Sequence, residues 1–327
     1  MMNKKLLNIL VLGVSSNVSQ SMIAAIKNDT FPCKLYGACV NEDSIGKYFV
    51  DEFYVCPYAN AENFVDWVIQ FCNQHDIDIV FTGVEENLAV FSQYNTMLEQ
   101  KTKAKIIVSS PEQIKIADDK LLTCTWLKNN NFNYPLFADA SNPDEVNELL
   151  SRTTFPVIAK PRNGKSASGI FYLRSKSDLS LIQNKTNYIL EEYLGTEQDE
   201  YTVGIYSNRF GEFKNLIIMK RILKGGTTVI AETVQHPLIY EECKNIALAL
   251  QVKGPFNIQL RLHKNKPVPF EFNARFSGST SIRALLGFKD LIACIHDYIY
   301  EENTIDNFLM PSSGKVIRYY TEKIVEK

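Results

Sequence analysis

Two predicted strands near the end of the chain carry three side chains with oxygen donors, Gln259, Glu271 and Asn273. Apolar and polar residues alternate over 256–261 and again over 268–273, which is the period of half-buried strands. If the strands form a hairpin, the three side chains can point the same way. Mg²⁺ prefers such hard oxygen donors, here with one full negative charge. The alternative is an amphipathic hairpin with a solvated polar face.

Two arginines follow these strands and favour the metal and phosphate interpretation. Arg275 and Arg283 flank the small polar run 277–280. Guanidinium groups and exposed backbone N–H groups both suit phosphate oxygens. Because arginines, serines and glycines are concentrated in this run, a binding site is favoured here over a hairpin with a solvated polar face.

A second candidate phosphate site is the loop 161–169, between predicted strands 155–160 and 170–174. Its glycines and serines would let backbone N–H groups approach a phosphate. Gly-Lys-Ser at 164–166 is similar to the end of a Walker A motif, but the required earlier glycine is Ala159 and a strand follows instead of a helix. An ordinary hairpin loop is the alternative.

Composition excludes several classes of protein. The formal net charge of -2 predicts no nucleic-acid partner, and no apolar run approaches the roughly 20 residues of a membrane span. The seven cysteines are scattered without a Cys-x-x-Cys pair, so we expect a reducing compartment, the cytoplasm, and no zinc site.

The first 110 residues alternate predicted strands and helices, which favours a parallel α/β sheet covered on both faces. The strands are predicted at 6–14, 35–40, 77–82 and 106–108, and the helices at 18–27, 61–75 and 86–100. The first turn holds Gly13 without the Gly-x-Gly-x-x-Gly fingerprint, so a dinucleotide site there is weakly supported. Loops 13–17 and 83–87 either line a crevice or belong to a scaffold.

Several motifs then follow in a fixed order. Lys120 begins a helix, Lys160 ends a strand before the Gly/Ser loop, and Glu-Glu-Tyr-Leu occupies 191–194. Glu-x-Thr-Val starts at Glu200, and Gln259 precedes the Glu-x-Asn-x-Arg run at 271–275. This order resembles the ATP-grasp superfamily, and within it the ATP-grasp domain of the carbamoyl-phosphate synthase large subunit.

The resemblance implies a fold in three parts. Residues 1–110 would be a Rossmann-like pre-ATP-grasp domain with a parallel sheet. The two α+β subdomains of the ATP-grasp fold would follow, a lid at 111–190, with a helix capped by Ser110, and a large subdomain with the metal site at 191–327.

The resemblance also implies roles for individual residues. Arg275 would contact the transferring phosphate, and Arg221 and Arg283 are weaker candidates for a substrate carboxylate or phosphate. The ribose ligand would be either Glu200 or Glu197. The implied ATP-binding residues are Lys120, Lys160, Gly164, Ser166, Ser168, Gly169, Glu191, Glu192, Tyr193, Leu194 and Glu200. The implied ligands of Mg²⁺ or Mn²⁺ are Gln259, Glu271 and Asn273.

The implied activity is an ADP-forming ligase that joins a small carboxylate and a small amine through an acyl phosphate. One set of motifs and no internal repeat predict that the chain alone does not make carbamoyl phosphate, which needs two phosphorylations. The alternatives are a phosphotransferase that stops at a phosphorylated product, a nucleotide-binding protein without turnover, and an NAD(P)-dependent enzyme. A homodimer is left open.

Overall fold

The structure is a computed structural model that describes residues 6–164, 168–196 and 199–319, together with Glu322 and Ile324. The described chain forms three sheets, of five, six and four strands. The strands are β1 Leu7–Leu12, β2 Cys33–Cys39, β3 Glu52–Val55, β4 Ile79–Thr82, β5 Lys105–Ile106, β6 Phe137–Asp139, β7 Val157–Pro161, β8 Phe171–Leu173, β9 Tyr188–Glu192, β10 Glu200–Ser207, β11 Phe213–Lys224, β12 Thr227–Thr233, β13 Gly254–His263, β14 Lys266–Asn273 and β15 Lys315–Ile317. The α-helices are α1 Asn17–Lys27, α2 Phe64–Gln74, α3 Glu85–Lys101, α4 Pro111–Asp118, α5 Lys120–Asn129, α6 Pro143–Arg152, α7 Pro237–Ala249, α8 Thr280–Leu285 and α9 Asp290–Tyr298.

The N-terminal sheet is parallel throughout, with the order β3-β2-β1-β4-β5, which confirms the predicted α/β domain. The strand order reverses between β1 and β4, so the loops after these two strands open a crevice at their carboxyl ends. Ser16 caps α1 by accepting from the Ser19 N–H at 3.0 Å. Loops 13–17 and 83–85, which follow β1 and β4 at this switch point of the strand order, therefore lie on one side of the domain.

The four-stranded sheet is antiparallel, with the order β6-β9-β7-β8, and has its own small core that includes Val157, Leu173 and Leu190. The expected subdomain boundary at residue 190 falls inside β9. Ile116 of α4 and Leu127 of α5 pack in the core of the six-stranded sheet instead of the smaller one. These two helices thus join the larger sheet, although they precede the smaller one in sequence.

The six-stranded sheet is antiparallel, with the order β14-β13-β10-β11-β12-β15. The predicted hairpin is confirmed, and its turn is shorter than expected because β14 already begins at Lys266. Lys264 and Asn265 have φ angles of 50° and 63°, the conformation of a two-residue hairpin turn that matches strand twist. Pro267 and Pro269 are tolerated in β14 because it is an edge strand.

The N-terminal domain and the six-stranded sheet share one core. Ile23 and Ile26 of α1 belong to the same buried cluster as Ile282 of α8 and Ile292 of α9. The Ser21 hydroxyl also accepts from the Ser281 backbone N–H at 2.9 Å. The parallel sheet is therefore fixed against the six-stranded sheet by continuous apolar packing.

A buried ion pair ties α8 to α9. Arg283 and Asp290 are both 0% exposed, and the Arg283 Nε donates to Asp290 Oδ2 at 2.7 Å. Arg283 Nη1 also donates to the Ser277 hydroxyl at 2.7 Å. Burial raises the pKa of Asp290, while the charge and hydrogen bonds of Arg283 act in the opposite direction. Each partner is thus the counter-ion that makes burial of the other tolerable.

We predict that Arg283→Met lowers the free energy of unfolding by about 3–5 kcal/mol, because it leaves the Asp290 carboxylate buried without its counter-ion. The double variant Arg283→Met/Asp290→Leu should recover most of that loss. The measurement is thermal and denaturant unfolding, with Arg152→Met as the control, since Arg152 is on the exposed face of α6. If Arg283→Met and Arg152→Met unfold alike, the pair does not stabilise the fold.

Candidate active site

A cavity of about 600 Å³ lies where the three sheets meet. Its walls combine polar and apolar side chains from the large and small sheets, and the N-terminal domain contributes Ser16, Asn17, Gly83 and Glu85. The crevice interpretation of loops 13–17 and 83–87 is therefore supported over the scaffold one. The predicted site residues that line the cavity are Lys120, Lys160, Gly164, Ser168, Glu191, Glu192, Leu194, Glu200, Arg221, Gln259, Glu271, Asn273 and Arg275.

Lys120 stands at the start of α5, as predicted, with Asp119 as the N-cap of the helix. Its backbone N–H donates to the Arg162 carbonyl at 3.0 Å, and its Nζ donates to the Gly164 carbonyl at 3.3 Å. Arg162 in turn is paired with Asp119 at 2.6 Å. These bonds join α5 to the loop after β7. The Lys120 ammonium, 9% exposed as a residue, is thereby placed beside the Gly/Ser loop.

Lys160 pairs with Glu191 across neighbouring strands of the small sheet. The Lys160 Nζ is 2.6 Å from Glu191 Oε2, and the Glu191 side chain is 1% exposed. The same ammonium lies 4.6 Å from the centroid of the Phe270 ring, which belongs to the large sheet. Glu192, the next residue of β9, accepts from the Leu136 N–H at 2.7 Å. The two adjacent carboxylates therefore have separate functions, since only Glu191 is paired with the cavity lysine.

Glu200 lies between two arginines. Its Oε1 accepts from Arg221 Nη2 at 2.7 Å, and its Oε2 accepts from Arg261 Nη2 at 2.8 Å. Burial raises the pKa of Glu200, but the charges and hydrogen bonds of Arg221 and Arg261 outweigh burial and hold the pKa below its usual value. Glu200 therefore stays ionised inside the cavity. Arg261 also donates to the Leu194 carbonyl at 3.1 Å and so fixes the end of the segment 191–194.

The three predicted metal ligands converge on one point. Gln259 pairs directly with Glu271 across the hairpin, and Asn273 follows two residues later on the same face. Gln259 Nε2 donates to Glu271 Oε1 at 2.7 Å, and Gln259 Oε1 accepts from Arg221 Nη2 at 2.5 Å. Asn273 Nδ2 approaches the same Glu271 oxygen at 3.4 Å.

The chemistry of this donor set fits a hard divalent cation. Among the described residues, Glu271 has no lysine or arginine partner, unlike Glu191 and Glu200. Its hydrogen-bond partners in the described part of the chain are the amides of Gln259 and Asn273. Rotation of these amides would present their oxygens to a cation, and Gln259 would give up its bond from Arg221 in doing so. No group of three or more His, Cys, Asp or Glu side chains that could hold a metal occurs in the described ranges. One carboxylate with two amide oxygens is thus the candidate set.

Arg275 connects the cavity to the N-terminal domain. Its Nη2 forms a short ion pair with Glu85 Oε1, its Nε donates to the same oxygen at 3.1 Å, and its Nη1 donates to the Phe276 carbonyl at 2.7 Å. The loop that follows approaches α1 closely. A Cβ on Gly278 would lie 2.7 Å from the Asn17 amide nitrogen, so only glycine fits here without a shift of Asn17.

Three predicted residues lie outside the described lining of the cavity. Gly169 has a φ of 72° and packs by the Tyr188 hydroxyl, and Tyr193 packs on Tyr172 and beneath the Arg261 guanidinium. Arg283 is wholly buried in its pair with Asp290, so its placement does not support contact with substrate. Ser166 and the alternative ribose ligand Glu197 are outside the described residues.

Two cavity residues, Arg261 and Phe270, were not predicted as site residues, and two others were predicted only as parts of loops. Arg261 shares a strand face with Gln259, so the period-two pattern could have identified it. Asn17 and Glu85 belong to the loops 13–17 and 83–87, which were predicted as a possible crevice because they follow the carboxyl ends of β1 and β4. Phe270 belongs to the apolar residues of the alternation over 268–273, and no local pattern in the sequence indicates that it contacts Lys160.

Comparison with known proteins gives consistent similarities. The profile of a family described as "ATP-grasp in the biosynthetic pathway with Ter operon" matches residues 184–311. The chain is 24% identical over 230 residues to the carbamoyl phosphate synthase large chain of Sulfurisphaera tokodaii, which covers 63% of this chain and 21% of that one. Identity to the same protein of Sulfolobus acidocaldarius is 22% over 279 residues, which cover 76% of this chain and 26% of that one. The chain thus spans about a quarter of the length of these relatives.

Solved structures show the same fold. N5-carboxyaminoimidazole synthetase from Staphylococcus aureus, complexed with ADP, aligns with a TM-score of 0.69 at 13% identity and covers 97% of this chain and 82% of its own. The L-amino acid ligase from Bacillus licheniformis aligns with a TM-score of 0.69 at 16% identity, and the alignment covers 94% of this chain and 78% of that one.

These similarities agree with the order of the motifs and with their meeting in one cavity between two antiparallel sheets. Residues 184–311 thus match an ATP-grasp family, the chain is similar in sequence to carbamoyl phosphate synthase large chains, and its fold is that of the solved structures named above.

Proposed function

We propose that the protein is an ADP-forming ligase that joins a small-molecule carboxylate to an amine with one ATP per bond. The single observation that carries the proposal is Glu271, a cavity carboxylate that, among the described residues, has two amide partners and no cation. It lies in the same cavity as Lys120, Lys160 and Arg275. Because all seven cysteines are free, we place the protein in a reducing compartment, the cytoplasm.

ATP would bind between the small and large sheets. Lys160 would lie near the α-phosphate, and the backbone of the 191–194 segment would hold the adenine, because this segment is fixed by the Glu191 ion pair and by the Arg261 bond to Leu194. Glu200 stays ionised and would accept from ribose hydroxyls. Lys120, whose ammonium donates to the Gly164 backbone carbonyl, would neutralise phosphate oxygens beside Gly164 and Ser168. The small sheet has a core of its own, so it can close over the nucleotide and exclude water.

Mg²⁺ would be held by Glu271, Asn273 and Gln259, and when bound it would neutralise negative charge on the phosphates. Arg275 would stabilise the charge that develops on the transferring phosphoryl group. Glu85 orients that guanidinium from the N-terminal domain. The protein supplies charge and position, so a nucleophilic serine or cysteine is not required.

The reaction would proceed in two steps. A substrate carboxylate oxygen attacks the γ-phosphorus of ATP, the bond to the bridging oxygen breaks, and ADP leaves with that electron pair. The amine then attacks the acyl carbon of the acyl phosphate, phosphate leaves, and one proton is released from the nitrogen. Phosphorylation replaces oxide by phosphate as the leaving group, which makes the second step feasible.

We predict that ATP turnover yields ADP and phosphate, and that hydroxylamine in place of the amine gives a hydroxamate. The measurement is a screen of carboxylic acids with Mg-ATP, read by ADP release and by the hydroxamate colour reaction. AMP and pyrophosphate would contradict γ-phosphoryl transfer. A stable phosphorylated acid in the presence of every amine tested would instead indicate a phosphotransferase.

We predict that Glu271→Gln lowers kcat/KM by at least about a hundredfold, because it removes the one full charge of the proposed metal site and metal ions contribute several kcal/mol. Unfolding without nucleotide should change little. Glu241→Gln on the exposed face of α7 is the matched control. The assay is steady-state ADP release over a Mg²⁺ titration, and wild-type turnover by Glu271→Gln would show that the metal binds elsewhere.

A further inference from the structure

The hairpin of β11 and β12 carries an apolar pair, Ile222 and Leu223, that lines the cavity. Ile222 is 55% exposed and Leu223 is 38% exposed, so a ligand in the cavity can reach both side chains. The hydrophobic cores formed by the described residues include neither of them. Gly225 and Gly226 have φ angles of 56° and 72°, the conformation of a two-residue hairpin turn. The apolar pair therefore stands at the free end of a regular hairpin.

A β-bulge lies at the apolar pair. Successive residues of a strand normally point to opposite faces, yet Arg221, Ile222 and Leu223 all line the cavity. The pairing register shifts within the pair, since Ile222 lies opposite Ile230. Leu223 lies opposite Thr228, which leaves one extra residue in β12. A bulge bends a strand, increases its twist and re-aims side chains, so this irregularity allows both apolar side chains to face the cavity.

The apolar pair lies away from the segment 191–194, which is proposed to hold the adenine. That segment is fixed to Arg261 of β13, and Glu200 begins β10. In the sheet order β13-β10-β11-β12, the apolar pair on β11 comes after both strands. On its other side, Thr228 Oγ1 accepts from the Ser279 hydroxyl at 3.4 Å. The pair thus borders the part of the cavity beside loop 277–279, beyond the proposed ribose carboxylate.

The lining of this part of the cavity is neutral. The described lining residues contributed by β12, by loop 277–279 and by residues 16–18 carry no formal charge. Arg221 and Arg275, which adjoin these segments in sequence, are already paired with Glu200 and Glu85. A charged group placed here would lose water without gaining a free counter-ion, whereas an apolar group would bury area against the apolar pair. The lining therefore favours an uncharged, apolar group.

We propose that Ile222 and Leu223 hold an uncharged aliphatic or aromatic group of one of the two molecules that the ligase joins, and so determine its specificity. This inference rests on the proposed ligase function and names a substrate class for it. Each methylene group of the substrate that is buried against the apolar pair adds to the affinity. An acid or amine without an apolar group, such as acetate or methylamine, is therefore a poor substrate.

The experiment measures by calorimetry the binding of two matched sets of probes, acetate with isocaproate and methylamine with isoamylamine. The protein is saturated with Mg²⁺ and the β,γ-imido analogue of ATP, so that the nucleotide site is filled. We expect the branched member of at least one set to bind at least about tenfold more tightly than its short counterpart. Leu223→Ser should remove most of this preference, and Leu223→Met should keep it. Leu238→Ser, on the exposed face of α7 and outside the described cavity lining, is the matched control and should behave as the wild type.

Equal affinity within both sets, no binding of any probe, or an unchanged preference in Leu223→Ser overturns the inference. A weaker affinity of Leu223→Ser for the nucleotide analogue also overturns it, because the side chain would then belong to the nucleotide site. If Leu223→Ser melts below the wild type, Ile222→Ser is the deciding variant. If the preference depends on these residues but no acid and amine release ADP, the ligase proposal fails and the apolar site stands. If ligation proceeds without any preference, the ligase proposal stands and this inference fails.

Discussion

The pairing register of β13 with β14 is the constraint on which the site depends. It sets Gln259 opposite Glu271, and Asn257 opposite Asn273, on the face that lines the cavity. A shift by one residue would turn Gln259 and Glu271 to opposite faces, because side chains alternate along a strand. The two-residue turn at Lys264 and Asn265 and the apolar packing of the other face hold this register. From Glu271 a hydrogen-bonded row runs through Gln259 and Arg221 to Glu200 and Arg261.

The distribution of hydrophobic cores indicates which walls of the cavity are fixed. One cluster joins α1 to α8 and α9, so the N-terminal domain and the large sheet are packed together through a continuous core. The small sheet has its own cluster, and the described links to the rest near the cavity are largely polar, such as Arg162 with Asp119 and Lys120 with Gly164. Polar links are easily exchanged with water or ligand. Lid motion is therefore expected of the small sheet, against a rigid floor that holds Glu271 and Arg275.

Features with local causes could be predicted from the sequence, and features with distant causes could not. The hairpin, the parallel domain and the Ser110 cap of α4 follow from periodicity and capping rules. Helix α6 was missed although Asn142 and Pro143 form a cap signal, and the short strands β3, β6 and β15 offer too little periodic sequence. The pairs Arg261–Glu200 and Arg275–Glu85 join residues 61 and 190 positions apart, so no local pattern can indicate them.

The arginines show why residue type alone is insufficient for assigning a site. Arg283 follows a polar run and was read as a substrate ligand, yet α9 brings Asp290 against it and removes it from the cavity. The useful quantity is the charge left uncompensated after folding. By that measure Glu271 is suited to a cation and Lys120 to a phosphate oxygen, and both line the same cavity.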